Sequence, residues 1–324
     1  FATIFTNAML PDLAPREQIG RISGTGWAFG YLGGLLCLVL MLVFFAESAS
    51  TGKTLIGLPP ALGLDAAARE GTRAVGPLTA LWYTVFMIPF FAWVREPRVP
   101  PAEPLSRAAR AAWPDLKLAL AGLRGRSSLR NYLISSMLYR DALNGLYFFG
   151  GIYAAGVLGW SVVSVGVFGI LSVIASALVA WVGGRCDQRF GPKPVIVTSI
   201  LALIAATTLA VTISRVSVLG LPVAAGSSLP DIAFYVVGAV IGAAGGALQA
   251  SSRCMMVYQS QSGHPTREFG LYALAGKATS FIAPFSVAKA TDLSGSQQLG
   301  ITPLLVLFIV GLAMLVWVKP HGDT

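Results

Sequence analysis

A charged or amide side chain inside an apolar stretch costs free energy in lipid unless it is paired or faces water, so such residues mark where chemistry can sit. Arg140 and Asp141 lie about ten residues into an apolar stretch that begins near 131. At about 1.5 Å of rise per residue that is roughly 15 Å deep, close to the middle of a hydrocarbon layer about 30 Å thick. Asn144 follows Asp141 by three residues and shares its helical face. Arg140 and Asp141 are adjacent, so they point about 100° apart and cannot both face one partner squarely. Asp141 is the first candidate for meeting a substrate amine or carrying a proton, and the structural alternative is an ion pair that locks helices together. Lys277 stands well inside a second stretch with Ser280 and Pro284 on its face. It can meet a substrate carboxylate, pair with Asp141, or snorkel to the interface. Gln249 and Ser252 form a polar stripe that suits helix–helix hydrogen bonding as well as it suits a ligand. Trp27, Tyr147, Phe148 and Trp160 fit packing or interface anchoring better than a binding cage.

The elements that must hold these residues are membrane helices. Of 324 residues 55% are hydrophobic and 11% charged, with a mean hydropathy of +0.71, whereas soluble domains carry about a quarter charged residues. Eight stretches are long and apolar enough to span: 27–45, 78–94, 131–158, 162–182, 194–214, 232–252, 270–290 and 301–318. Glycines recur in them, and Gly238, Gly242 and Gly246 have the spacing that lets two helix backbones approach closely. Sixteen Lys and Arg fall on one side of these spans and five on the other, which sets the richer side, with residues 95–130, facing the cytoplasm. The net charge of +9 therefore belongs to loops, and nucleic-acid binding is not expected.

Residues 95–130 join two groups of spans. Pro97, Pro100, Pro101 and Pro104 favour an extended connector. Beyond them Trp113, Leu116, Leu120 and Leu123 fall at helical spacing, with Arg110, Lys117 and Arg124 elsewhere on the wheel. A short helix in the membrane interface and a solvated basic linker fit this pattern equally. The chain divides accordingly into an N-terminal bundle remainder (1–94), a cytoplasmic connector (95–130) and a C-terminal six-helix bundle (131–324). It opens on Phe1-Ala2-Thr3-Ile4-Phe5, which has the look of the last turns of a helix, so the natural N-terminus is expected upstream. Cys37, Cys186 and Cys254 have no regular spacing, and His264 and His321 lie in a loop and a tail, so neither a metal site nor a cofactor is expected. The sequence offers no acid cluster, nucleophile elbow or phosphate loop, and an enzyme or a nucleotide-driven pump is not expected.

Between two closely spaced spans stands the run Gly183-Gly184-Arg185-Cys186-Asp187-Gln188-Arg189-Phe190-Gly191-Pro192-Lys193. It resembles the G-x-x-x-D-x-x-G-x-K loop of the major facilitator superfamily, with Gly183, Asp187, Gly191 and Lys193 as the corresponding residues, one more residue between Asp187 and Gly191 than that pattern has, and Arg189 among the basic residues that hold the loop at the inner face. Three further runs carry a narrower resemblance: Asn7–Pro11 through Gly20–Gly24 to Gly26–Gly34, Leu138–Asp141 with Gly151–Val157, and Glu268–Ser280. They are similar to the vacuole-effluxer-like branch, the autophagy-related efflux proteins and their bacterial relatives. Ala283 stands where that pattern has Gly before Pro284. The resemblance implies an all-α, major facilitator fold of twelve helices, with this chain supplying the fifth to the twelfth. It also implies secondary transport by alternating access, with amino-acid efflux as the suggested activity, a small-molecule substrate, protons as a candidate coupling ion and a bacterial inner membrane as the setting. The competing expectations are a transport-inactive remnant and a membrane-embedded lipid-linked transferase.

Overall fold

The structure is a computed structural model and describes residues 2–48, 51–94, 104–260 and 265–323. The chain runs through α1 (Ala2–Ala8), α2 (Leu10–Leu13), α3 (Arg16–Phe44), α4 (Glu70–Arg73), α5 (Val75–Trp93), α6 (Leu105–Gly122) and α7 (Ser127–Gly156). It continues with α8 (Val162–Phe190), α9 (Pro192–Thr212), α10 (Leu229–Gln259), α11 (Pro265–Ala278), α12 (Ile282–Ser294), α13 (Gln297–Gly300) and α14 (Thr302–Leu315). A two-residue hairpin, β1 (Ser217–Val218) with β2 (Leu221–Pro222), interrupts the link between α9 and α10. The expected all-α membrane architecture is what forms. Two compact units result, one from Phe1–Tyr31 with Trp113–Thr324 and one from Leu32–Ala112. The extended connector expected from Pro97, Pro100 and Pro101 lies outside the described residues.

Six helical stretches among the described residues are long and apolar enough to cross a membrane: Arg16–Phe44, Glu70–Trp93, Ser164–Phe190, Pro192–Thr212, Leu229–Gln259 and Gln297–Leu315. The other two expected spans differ for physical reasons. Helix α7 is 30 residues long, but Arg130, Arg140 and Asp141 and a run of serines and tyrosines lower its hydropathy. The span expected over 270–290 is broken into α11 and α12 by a turn at 279–281.

In the larger unit α10 is the central strut, packed on α8 and α9. Its glycines meet α8 directly. A Cβ on Gly242 would collide with Ser172 O, and one on Gly246 would lie 2.5 Å from Ser176 O. The serines tie the seam, Ser172 Oγ donating to Gly238 O at 2.9 Å and Ser176 Oγ to Gly242 O at 2.8 Å. Lipid gains nothing from separating apolar surfaces, so such close contact and hydrogen bonding carry helix association.

Both ends of this unit are capped by polar groups. At one end Trp160 Nε1 donates to Asp231, which also pairs with Arg215 at 2.8 Å. Trp160, Phe168, Phe234 and Tyr235 pack as one aromatic group beneath them. At the other end Asp323 accepts from the Ser128 and Leu129 amides, capping the first turn of α7. Arg126 there pairs with Glu268 and donates to Gln259 O at 2.7 Å.

In the smaller unit no residue of α5 is buried, and Phe91 and Trp93 are three-quarters exposed. Such a surface is stable against lipid rather than water. The loop before α4 is tied by Glu47, which accepts from Arg69 Nε at 2.8 Å, Thr72 N at 3.0 Å and Thr72 Oγ1 at 2.9 Å. Burial pushes the Glu47 carboxyl up, but hydrogen bonds from its own amide, Thr72 and Arg69 outweigh it and hold it below its ordinary value.

Candidate functional site

Helix α7 has two chemically distinct faces over its middle turns. Arg140, Asn144 and Tyr147 follow at i, i+4 and i+7 and share one face, on which Arg140 is half-buried and the other two are exposed. Asp141 lies on the buried side with Ala142, Leu143, Gly145 and Leu146. A helix face that carries Arg and Asn does not look onto lipid, so it belongs to an interior or a water-filled path.

Arg140 rests on α11. Its guanidinium stacks on the Tyr272 ring, 4.2 Å from the centroid, and Nη1 donates to Tyr272 O at 3.2 Å. Gly276 makes this possible, because a Cβ there would lie 2.8 Å from Arg140 Nη1. The wall behind is phenolic. Tyr132 stacks on Tyr272 with centroids 6.1 Å apart. Tyr139 Oη meets Ser252 Oγ at 2.8 Å, and Tyr132 Oη donates to Ser252 O. Among the described residues no carboxylate pairs with Arg140.

About 10 Å further along the same face of α7, Tyr147 reaches a second polar group. Gln249 Nε2 donates to Tyr31 Oη at 3.2 Å, and the Tyr147 and Ser176 hydroxyls also interact with Tyr31. Trp27 packs on Tyr31 at 5.6 Å, and its buried Nε1 has no hydrogen-bond partner among the described residues. Arg140, Asn144 and Gln249 thus fall on or beside one polar strip that joins α7, α10, α11 and the first half of α3.

Asp141 and Lys277 do not join that strip. Asp141 is 3% exposed and its Oδ2 accepts from Ala283 N at 3.0 Å. It caps the helix that restarts after the 279–281 turn, where first-turn amides lack intrahelical partners. Lys277 is exposed on α11. Ala283 is fully buried, and the room it needs comes from Gly145 across the interface, where a Cβ would stand 3.1 Å from that of Ala283.

The run Gly183–Lys193 is not the loop its spacing suggested. Helix α8 continues through it to Phe190, and only Gly191, at φ 82°, turns the chain before Pro192 opens α9. One face of its last turns, carrying Gly183, Gly184 and Asp187, is buried against protein. Gly183 packs on Ala247, and Asp187, 2% exposed, accepts from Ser251 Oγ at 2.8 Å. Lys193 Nζ donates to Val318 O at 2.6 Å, tying the α8–α9 corner to the chain end beyond α14. Arg189 is exposed over Phe190.

Arg253 also differs from the expected loop charge. Helix α10 extends to Gln259, and Arg253 lies one and a half turns inside it. Its Nε donates to Ser23 Oγ at 3.0 Å, Nη2 to Ser23 O at 2.9 Å and Nη1 to Asn7 Oδ1 at 3.2 Å. Ser23 in turn donates to Ala250 O at 2.7 Å. Beside this clamp α3 and α8 touch backbone to backbone. A Cβ on Gly24 would lie 2.5 Å from Ala180 O, and one on Gly184 would lie 2.6 Å from Gly20 O. Hydropathy hid Arg253, since a charge ends an apolar window wherever it points. Gly20 and Gly24 carried a legible signal, the four-residue spacing, in a stretch too polar to be taken as a span. Tyr31, Tyr139 and Tyr272 had no signal of their own.

Residues 3–322 match the family model described as vacuole effluxer Atg22 like. An uncharacterised MFS-type transporter, YxiO of Bacillus subtilis, is 20% identical over all of this chain and 69% of its own length. Autophagy-related protein 22 of Cryptococcus neoformans is 25% identical over 91% of this chain and 49% of that protein. The protein of the same name in Yarrowia lipolytica is 23% identical over 91% of the chain and 50% of its own length. The chain therefore spans about half the length of these fungal relatives. With a match over nearly its whole length and an all-α, multi-pass membrane architecture, the chain belongs to the vacuole effluxer Atg22-like family.

Proposed function

We propose that this chain is the larger part of a secondary transporter that moves small polar solutes by alternating access, with amino acids carried in the efflux direction and protons as the coupling ion. The observation that carries the reading is the polar strip Arg140–Asn144–Tyr147, an ionisable and amide-bearing helix face about midway along α7. The family and the printed names of the relatives support transport. Residues 1–94 belong to an N-terminal bundle, 95–130 to a connector on the cytoplasmic side, and 131–324 to a C-terminal bundle of six helices. On this orientation the Arg253–Ser23–Asn7 clamp and the Gly20, Gly24 and Gly184 contact form the cytoplasmic gate. Alternating access requires two arrangements of one contact surface, and a seam made of hydrogen bonds and glycine backbone can part without stripping an apolar core.

The test uses the full-length protein in proteoliposomes preloaded with a mixed pool of labelled amino acids, with and without an imposed pH gradient. Release that exceeds empty liposomes and responds to the gradient is the expected result. Release insensitive to the gradient removes proton coupling, and no release of any amino acid discards the amino-acid assignment.

A further inference from the structure

We propose that Arg140, presented by Tyr272 and Gly276, is the receptor for a carboxylate on the carried solute, so that the site selects solutes by an anionic group. The inference deepens the transporter reading and rests on it. Three observations carry it.

The first is charge. A guanidinium near the middle of a membrane helix is expensive unless paired or wet, and Arg140 has no acidic partner among the described residues. The neighbouring carboxylate, Asp141, points about 100° away on α7 and accepts from Ala283 N. What surrounds Arg140 is neutral: the Tyr272 ring, the Tyr272 carbonyl and the phenols of Tyr132 and Tyr139.

The second is the pattern of engaged donors. Among the described residues Arg140 makes one hydrogen bond, from Nη1 to Tyr272 O. The Nε and Nη2 edge remains, and that edge carries the two parallel N–H groups that match the two oxygens of a carboxylate. Arg253 shows the contrast, with Nε, Nη1 and Nη2 all donating within the protein.

The third is preorganisation. The Tyr272 ring and the Tyr272 carbonyl both hold the guanidinium in place, and Gly276 provides the space in which it lies. A fixed fork loses little freedom on binding, which favours recognition by geometry over simple attraction. From Arg140 the strip runs about 10 Å to Tyr147, and the Tyr31–Gln249 pair there offers neutral donors and acceptors to the rest of the solute.

The probes are leucine, serine and lysine with their α-carboxamides, which keep size and amine and delete the carboxylate charge. Efflux of each is measured from proteoliposomes of the full-length protein, for wild type, Arg140→Gln, Arg140→Lys and Gly276→Ala. Wild type is expected to carry the acids at least about tenfold faster than the amides, the scale of a charged hydrogen-bonding pair. Arg140→Gln should bring the acid-to-amide ratio down towards one. Arg140→Lys keeps the charge without the fork and should fall between, and Gly276→Ala should lower the acids by displacing the guanidinium. If Arg140→Gln fails to fold, the last two variants still decide the matter through the acid-to-amide ratio. Amides carried as fast as acids by wild type, or a ratio unmoved in every variant, would overturn the proposal while leaving a transporter. Movement of none of the six probes in wild type would overturn amino-acid transport itself and this inference with it.

Discussion

Arg253 and Arg140 are two arginines in one helical unit with opposite circumstances. Arg253 donates from three nitrogens to acceptors on α1 and α3, so its charge is dissolved in a network of neutral oxygens. Arg140 donates once, leans on an aromatic ring, and keeps its outer edge for something else. The surroundings differ as well: around Arg253 helix backbones touch through glycine, whereas around Arg140 the neighbours are flat phenol rings. A saturated guanidinium holds two elements together, and an unsaturated one is prepared to bind. Residue type alone separates the two no better than hydropathy does; the count of engaged donors separates them at once.

The largest expected effect breaks the saturated region. Gly24→Leu or Gly184→Leu inserts a side chain where even a Cβ would stand 2.5 or 2.6 Å from a backbone oxygen. A destabilisation of about 3 kcal/mol or more is expected for the closed seam, read as a lower melting temperature in detergent; a melting temperature equal to wild type would mean that the seam is not closed in solution. Next comes Arg253→Ala, which leaves the Ser23 carbonyl and the Asn7 amide oxygen without their donor. It should shift the closed arrangement by about 1–3 kcal/mol, a change of about 5- to 150-fold in population, and Arg253→Lys should recover only part of it because one ammonium cannot serve three acceptors in a plane. Cross-linking yield between cysteines placed on α3 and α10 measures that population.

Asp141 gives a smaller and more pointed effect. Asp141→Ala removes the acceptor of the Ala283 amide and should cost about 1 kcal/mol, as the loss of a helix cap does. Asp141→Asn keeps an acceptor there and should melt close to wild type. A severe loss of stability in the Asn variant would mean that the charge matters and not the hydrogen bond. The smallest effect lies in the other unit, at Glu47. Its carboxyl is held below the ordinary value of 4.5, so its contribution is complete above that value and is lost as pH falls through the lower folded value. Amide exchange over 65–73, corrected for intrinsic rates, should quicken at acid pH in wild type, and Glu47→Gln should show faster exchange already at neutral pH.

Much of the architecture was legible because membrane spans announce themselves by length and hydropathy. The Gly238, Gly242 and Gly246 seam was equally plain, since four-residue spacing of small residues has one structural use in lipid. The break at 279–281 was not, because Pro284 marks a disturbed helix without showing that Asp141, far off in sequence, holds the restart. The ends of α8 and α10 were drawn too short for one reason: hydropathy records whether a side chain is polar and not whether protein covers it. At the site, Arg140, Asn144 and Gln249 were visible as polar residues in apolar runs, yet their companions Tyr31 and Tyr272 are amphipathic and look the same in packing as in binding. Which of two adjacent charges faced the strip could not be read from spacing, because it depends on where α11 and α12 lie.

Cys254 follows Arg253 in the chain and is 1% exposed. A thiol so buried is sealed against alkylation, and an opening of the neighbouring clamp that admits water to it is expected to make it reactive. With the other cysteines of the protein, Cys37 and Cys186 among them, changed to serine, the labelling rate of this native residue becomes a clock for opening that needs no introduced probe. It would run faster wherever solute or pH drives the seam apart.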